Sequence, residues 1–217
     1  MFKPKKTAKG FGNSEIRKSD KKIFSIKEKL EYANKKRINK EYNEAINIYN
    51  KIIKLHRETP EAFYNLGLIY KSLNSFNESI NAFKEVINIE PGNIGAYLLI
   101  GNIFLQLKKY ENAIEFYEKG LSLNREDIYL LNGLGNVYHQ KNEHATAILF
   151  FKKAINLSKN NAGIFNNLGN SQLASLQIKN AIVSFCSAIK INPEVKEFHL
   201  NLAYAYFYNN DYSNGWI

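Results

Sequence analysis

The stretch that decides the fold is AFYNLGLIYKSLNSFNESINAFKEVINIEPGN, residues 62–93 of a chain of 217 residues. Within it, Gly67, Tyr70, Ser79 and Phe83 each mark a type of position that returns along the chain at intervals of 34 residues. An internal repeat of this length decides the architecture before any single motif does. We therefore interpret the chain first as a set of repeated units.

A small residue and a large aromatic residue define the repeat. A mid-helix glycine costs about 1 kcal/mol relative to alanine, so its return predicts a site where two helices approach closely. The aromatic residues are expected to fill the space between neighbouring units, and three prolines lie at unit borders, where a helix has to stop. The small residues are Ala33, Gly67, Gly101, Gly135, Gly169 and Ala203, the aromatic residues Tyr49, Phe83, Tyr117, Phe151 and Phe185, and the prolines Pro60, Pro91 and Pro193.

This pattern resembles the tetratricopeptide repeat (TPR). The resemblance covers about six units without an insertion, and it implies an all-α fold, a right-handed superhelical solenoid of helix–turn–helix units. Helix A of each unit then lines a concave surface, where most members of the family hold peptides, and stability comes from stacking of the units. The units are 26–59, 60–93, 94–127, 128–161, 162–195 and a partial 196–217.

The two ends of the chain depart from the repeat. Residues 1–40 hold 14 Lys and Arg against 4 Asp and Glu, so they account for the whole net charge of +10. Residues 1–25 are predicted to be a disordered basic arm, either a solvated tail or a weak, salt-sensitive contact to an acidic partner, anionic lipid or nucleic acid. The arm has no defined groove or aromatic platform, so sequence-specific recognition of nucleic acid is not expected.

The last unit stops early, in DYSNGWI at 211–217. We expect Leu202 and Tyr206 to be left partly uncovered, as an apolar patch that needs a partner and could support self-association. No apolar run approaches the roughly 18 residues of a membrane span, and no secretory signal is recognisable. A single cysteine, Cys186, fits a reducing compartment, and a cytoplasmic location is expected.

No catalytic constellation emerges, so the chain is expected to be neither an enzyme nor the holder of a metal or cofactor. His139 and His144 are five positions apart and are predicted to point to different sides of a helix, unlike the i, i+4 pair of a zinc site. Gly133 and Gly135 form a G-x-G, but Gly135 is the small residue of its repeat, so a phosphate-binding loop is not expected there. Cys186 has no adjacent basic residue and is interpreted as an inert thiol.

Carrying the family's groove positions across unit by unit implies a nearly uncharged surface rich in Asn and Tyr. It lacks the Lys and Arg cluster with which some members clamp a terminal carboxylate. An Asn side chain offers a donor and an acceptor, so a row of Asn suits an extended peptide backbone. The implied peptide-binding residues are Tyr64, Leu68, Leu98, Asn102, Tyr129, Asn132, Asn136, His139, Asn166, Asn170 and Tyr204.

The asparagines are similar to the asparagine ladder of protein O-linked N-acetylglucosamine transferases. Asn65, Asn167 and Asn201 keep one position of that ladder, which Leu99 and Gly133 interrupt, and a second row one helical turn away consists of Asn102, Asn136 and Asn170. The alternative is that these asparagines only reflect a chain rich in Asn. The resulting prediction is a non-catalytic scaffold that binds a protein or peptide segment. The competing hypothesis is an accessory or substrate-recognition part of a glycosyltransferase. It rests on this row and on Gly215 and Trp216, which look like a G-W element that precedes catalytic domains in bacterial repeat-containing glycosyltransferases.

Overall fold

The computed structural model describes residues 25–209, which contain eleven α-helices and no strand. The all-α solenoid of helix–turn–helix units is confirmed. The basic arm and the DYSNGWI ending lie outside the described residues, apart from Ser25. The helices are α1 (Ile26–Ile38), α2 (Tyr42–Leu55), α3 (Pro60–Ser72), α4 (Phe76–Ile89), α5 (Ile94–Gln106), α6 (Tyr110–Leu123), α7 (Ile128–Gln140), α8 (His144–Leu157), α9 (Ala162–Ala174), α10 (Ile178–Ile191) and α11 (Lys196–Tyr208).

Most of the odd-numbered helices, which are helices A of the units, begin at residues that favour a helix start, whereas α11 begins after Val195 without a side-chain cap. Ser25 and Glu28 form a reciprocal capping box ahead of α1. Asn93 accepts from the backbone at the start of α5, and Pro60 is the first residue of α3, where its missing N–H is not needed. The unit border expected at Pro60 therefore coincides with a helix start.

The contact that brings helices A and B of one unit together is glycine against an aromatic ring. A Cβ placed on Gly67 would lie 2.7 Å from Cε1 of Phe83, and one on Gly169 would lie 2.5 Å from Cε1 of Phe185. A Cβ on Gly135 would overlap the ring of Phe151 in the same way. The prediction that the repeated small residue marks a close approach of two helices is confirmed.

The repeated aromatic position that holds Tyr70 and Tyr138 is occupied by Gln172 in the fifth unit, and a second position of that unit changes with it. In the preceding unit, Tyr138 and Phe150 stack with ring centroids 5.5 Å apart. One repeat later these positions hold Gln172 and Ser184, and the Ser184 hydroxyl donates to Gln172 Oε1 at 2.7 Å in the interior. A buried hydrogen bond thus replaces an aromatic pair, which satisfies both polar groups.

The turn between helices A and B contains a residue in the left-handed backbone region in each of the five units described in full. The φ angles lie between 56° and 63°, and no such residue is glycine. Asn tolerates this conformation better than other non-glycine residues, because its short polar side chain bonds locally. The residues are Lys40, Asn74, Lys108, Asn142 and Leu176.

Helices A lie on the inner side of the stack. The pairs α1 and α3, α5 and α7, α7 and α9, and α9 and α11 pack against each other across unit borders. No two helices B of the described residues pack to that extent, so the B side is spread apart and convex. Within residues 25–209, no helix combines the length and apolar character needed to cross a membrane.

Candidate functional site

The concave surface is formed by helices α3, α5, α7, α9 and α11, and all eleven predicted groove residues lie on them. These residues differ in how much of their surface is exposed to solvent. Tyr129 and Tyr204 are 57% and 53% exposed. Leu68 and Leu98 are partly buried and pack against the apolar core, so they serve the fold as well as the surface.

One line of side chains along the groove, which we call the groove row, follows the small residue of each unit by one position. Its members are Asn34, Leu68, Asn102, Asn136, Asn170 and Tyr204. Tyr117 on helix B donates its hydroxyl to Asn102 Oδ1 at 2.7 Å, and Tyr49 donates to Asn34 Oδ1 at 2.6 Å. Both tyrosines are fully buried, so these bonds satisfy phenols that water cannot reach.

Asn136 and Asn170 do not accept a hydrogen bond from a buried tyrosine. At the positions equivalent to Tyr117, their units carry Phe151 and Phe185, which have no hydroxyl. Within the described part of the chain, neither amide makes a side-chain hydrogen bond, and both residues are half-buried. Of the four asparagines in the groove row, these two therefore present an unused donor and an unused acceptor.

The asparagines one turn earlier are bonded to each other instead. Asn167 donates to Asn132 Oδ1 at 3.1 Å, and Asn201 donates to Asn166 Oδ1 at 2.9 Å, so both bonds join neighbouring helices A. Asn166 is only 4% exposed, and its Nδ2 also reaches Glu197 Oε1 at 3.4 Å. The Asn166 side chain therefore links two units, and its part in peptide binding stays a prediction.

The two histidines near the end of α7 are adjacent, which corrects the sequence prediction. α7 ends at Gln140 and His144 begins α8, so the turn brings the His139 and His144 rings to a centroid distance of 5.1 Å. His139 Nδ1 lies 2.8 Å from Ser171 Oγ. Burial, and secondly the charge of His144, lower the pKa of His139. Among residues 25–209, no group of three or more His, Cys, Asp and Glu is placed to hold a metal.

An open cavity of about 500 Å³ lies beside the free amide of Asn170. Sequence reasoning pointed to His139 and Asn170 at this place but missed Ile178. A signal for the two free amides was present in the sequence, in the exchange of Tyr for Phe at the helix B position. The cavity is lined by His139, Asn170, Leu173, Ala174, Leu176, Ile178 and Tyr208.

The opposite end of the groove is acidic, which the expectation of an uncharged surface did not include. Tyr64 packs edge-to-face on Phe83 with centroids 5.5 Å apart, and burial raises its pKa. The surrounding cavity of about 620 Å³ also contains Glu58, Glu61 and Glu90. Glu61 accepts from Asn34 Nδ2 at 2.9 Å, so this carboxylate is already used in the fold.

Two family models match the chain. The model described as anaphase-promoting complex, cyclosome, subunit 3 matches residues 38–120. The model described as TPR repeat matches residues 101–142 and 135–175. Among curated proteins, none matches the sequence.

Solved structures share the fold at low sequence identity. A thermophilic TPR protein of Thermus thermophilus is 18% identical, with a TM-score of 0.67 over 84% of this chain and 100% of the other. PilF of Pseudomonas aeruginosa is 13% identical, with a TM-score of 0.74 over 88% and 86%. YrrB, a TPR protein with an unusual peptide-binding site, is 18% identical, with a TM-score of 0.60 over 77% and 87%.

Proposed function

We propose that this chain, a tetratricopeptide-repeat protein, is a non-catalytic scaffold that holds an extended peptide segment of a protein partner in its concave groove. The observation that carries the proposal is the pair of free amides, Asn136 and Asn170, on helices A of two consecutive units. The equivalent Asn102 is occupied by Tyr117. The solved relatives and the matched TPR models support the scaffold class.

The free amides suit a peptide backbone. An Asn side chain can donate to a backbone carbonyl and accept from a backbone N–H, so it holds the chain without reading its side chains. The cavity beside Asn170 then offers a place for one apolar side chain of the peptide, against Leu173, Ile178 and Tyr208. A groove of this kind selects an extended segment with one apolar anchor rather than a folded surface.

The test replaces both free amides. Peptides would first be selected from a random display library with the full chain as bait. Their affinity would then be compared between the parent and the double variant Asn136→Ala, Asn170→Ala. We expect affinity to fall about tenfold, since each hydrogen bond contributes about 0.5–1.5 kcal/mol. The melting temperature should stay unchanged, because neither amide is bonded to another side chain among residues 25–209.

The matched control is Asn77→Ala, which removes an exposed amide from α4, a helix B on the convex side. This variant should bind the selected peptides as the parent does. Parent-like affinity in the double variant would remove the support for the groove, and loss of binding in the control would show a nonspecific effect.

A glycosyltransferase accessory role is the alternative carried over from the sequence. Its support is the asparagine row and the Gly215–Trp216 ending, and the matched families and structures add none. Continuation of the reading frame, or of the next gene, into a nucleotide-sugar-binding domain would favour it. Three further predictions from the sequence are likewise proposals. They are a salt-sensitive contact of the basic arm with an acidic partner or surface, self-association through the last unit, and a cytoplasmic location.

A further inference from the structure

A third cavity opens on the convex side of the molecule, between the helices B of the third and fourth units, α6 and α8. It has a volume of about 420 Å³. Its floor is apolar, two cationic side chains stand at its rim, and none of the described residues that line it is acidic. The lining residues are Leu121, Arg125, Leu131, Phe150, Lys153, Asn156 and Leu157.

The repeat supplies an internal comparison one unit earlier. A cavity of about 380 Å³ is lined there by Ile87, Tyr97, Phe116 and Lys119, the residues that precede Leu121, Leu131, Phe150 and Lys153 by 34 positions, with Asn81, Lys84, Glu85 and Asn88. In both cavities the lysine Nζ lies 5.3 Å from the centroid of the phenylalanine ring. The two cavities are thus the same structural position in consecutive units.

They differ in their carboxylates. Lys119 Nζ is paired with Glu115 Oε1 at 2.6 Å, one helical turn away. The position equivalent to Glu115 in the next unit is Leu149, which is 61% exposed. Among the described residues, neither Lys153 nor Arg125 has an acidic partner within salt-bridge distance. Within the described residues, the later cavity therefore has two cationic side chains without a salt-bridge partner, and α8 carries an exposed leucine where α6 has Glu115.

We propose that this convex cavity docks a partner protein segment that places a carboxylate beside a large apolar side chain. The apolar side chain would enter the floor formed by Leu121, Leu131 and Phe150. The carboxylate would pair with Lys153, as Glu115 pairs with Lys119, and Arg125 adds a second positive charge to the same cavity. Charge complementarity selects the acid, and the exposed Leu149 adds apolar area next to it. The cavity is on the opposite side from the groove, so this proposal does not depend on peptide binding there.

The test is a titration of the isotope-labelled full chain, followed by ¹H–¹⁵N NMR, with the probe N-acetyl-Leu-Glu-amide. Its neutral counterpart, N-acetyl-Leu-Gln-amide, has the same shape without the charge. We expect saturable shifts of the backbone signals around Phe150 and Lys153, and affinity about threefold lower for the neutral probe, as befits an exposed charge contact.

Leu149→Glu supplies the missing internal carboxylate four residues before Lys153, as Glu115 does for Lys119. We expect this variant to lose the preference for the acidic probe, whereas Lys119→Ala, the control in the neighbouring cavity, keeps it. The proposal is overturned if no saturable shift occurs at the convex cavity, if both probes bind equally to the parent, or if Leu149→Glu leaves the preference intact.

Discussion

At the scale of single residues, one hydroxyl decides what a groove asparagine does. Tyr49 and Tyr117 are fully buried, and burial raises the pKa of Tyr49 to about 12, which keeps the phenol protonated and able to donate. The partner asparagine then serves the fold. Where the same position is Phe151 or Phe185, the asparagine is released to the surface. A substitution of Tyr by Phe in the core therefore changes which groove asparagines are available to a ligand.

A second prediction at this scale concerns His139 and the pH dependence of the free energy of unfolding. Its pKa is lowered in the folded chain by burial and by His144, so the unfolded chain binds the proton more readily. The free energy of unfolding should fall as the pH drops below about 6.5, the ordinary pKa of histidine. His139→Gln should flatten the profile between about pH 7 and pH 5, measured by denaturant unfolding.

The control for this profile is His56→Gln, because His56 is exposed. It should keep the parent's slope over the same range of pH. Parallel profiles for the parent and His139→Gln would show that His139 does not couple folding to protonation.

At the scale of elements, the turn between helices A and B depends on a left-handed residue. Leu176 has a φ of 60° and is 80% exposed, so it adopts this conformation with little packing in return. Leu176→Asn copies Asn74 and Asn142 and should raise the free energy of unfolding by about 1 kcal/mol. The reciprocal change, Asn142→Leu, should lower it. A less stable Leu176→Asn would show that the leucine contributes packing that outweighs the backbone strain.

The elements also show where sequence reasoning succeeds and where it stops. The return of Gly67, Gly135 and Gly169 predicted the close helix contacts, because only a small residue fits against the ring. The left-handed turn escaped notice because Lys, Asn and Leu share no chemistry there. The neighbouring His139 and His144 were misjudged, since the helix break between them was not anticipated.

At the scale of the whole molecule, the two sides of the solenoid differ in chemistry. The concave side offers amides and aromatic rings around Asn136 and Asn170. The convex side offers an apolar floor beside the cations Arg125 and Lys153. The repeat predicted the solenoid, which is confirmed, whereas the groove residues came from the resemblance to the family and stay a prediction. The exchange of Tyr117 for Phe151 and Phe185 was a sequence signal for the free asparagines, but its meaning depends on the contact between Tyr117 and Asn102, which only the structure shows.

The central claim is that free amides at Asn136 and Asn170 hold the peptide, and it is tested by giving them the partner that Asn102 has. Phe151→Tyr combined with Phe185→Tyr would place a phenol beside each amide, as Tyr117 does. The measurement is the affinity of a groove-selected peptide, alongside the melting temperature. We predict parent-like melting and affinity at least about threefold weaker, since each acceptor would be occupied. Unchanged peptide affinity in a double variant that melts like the parent would contradict the account.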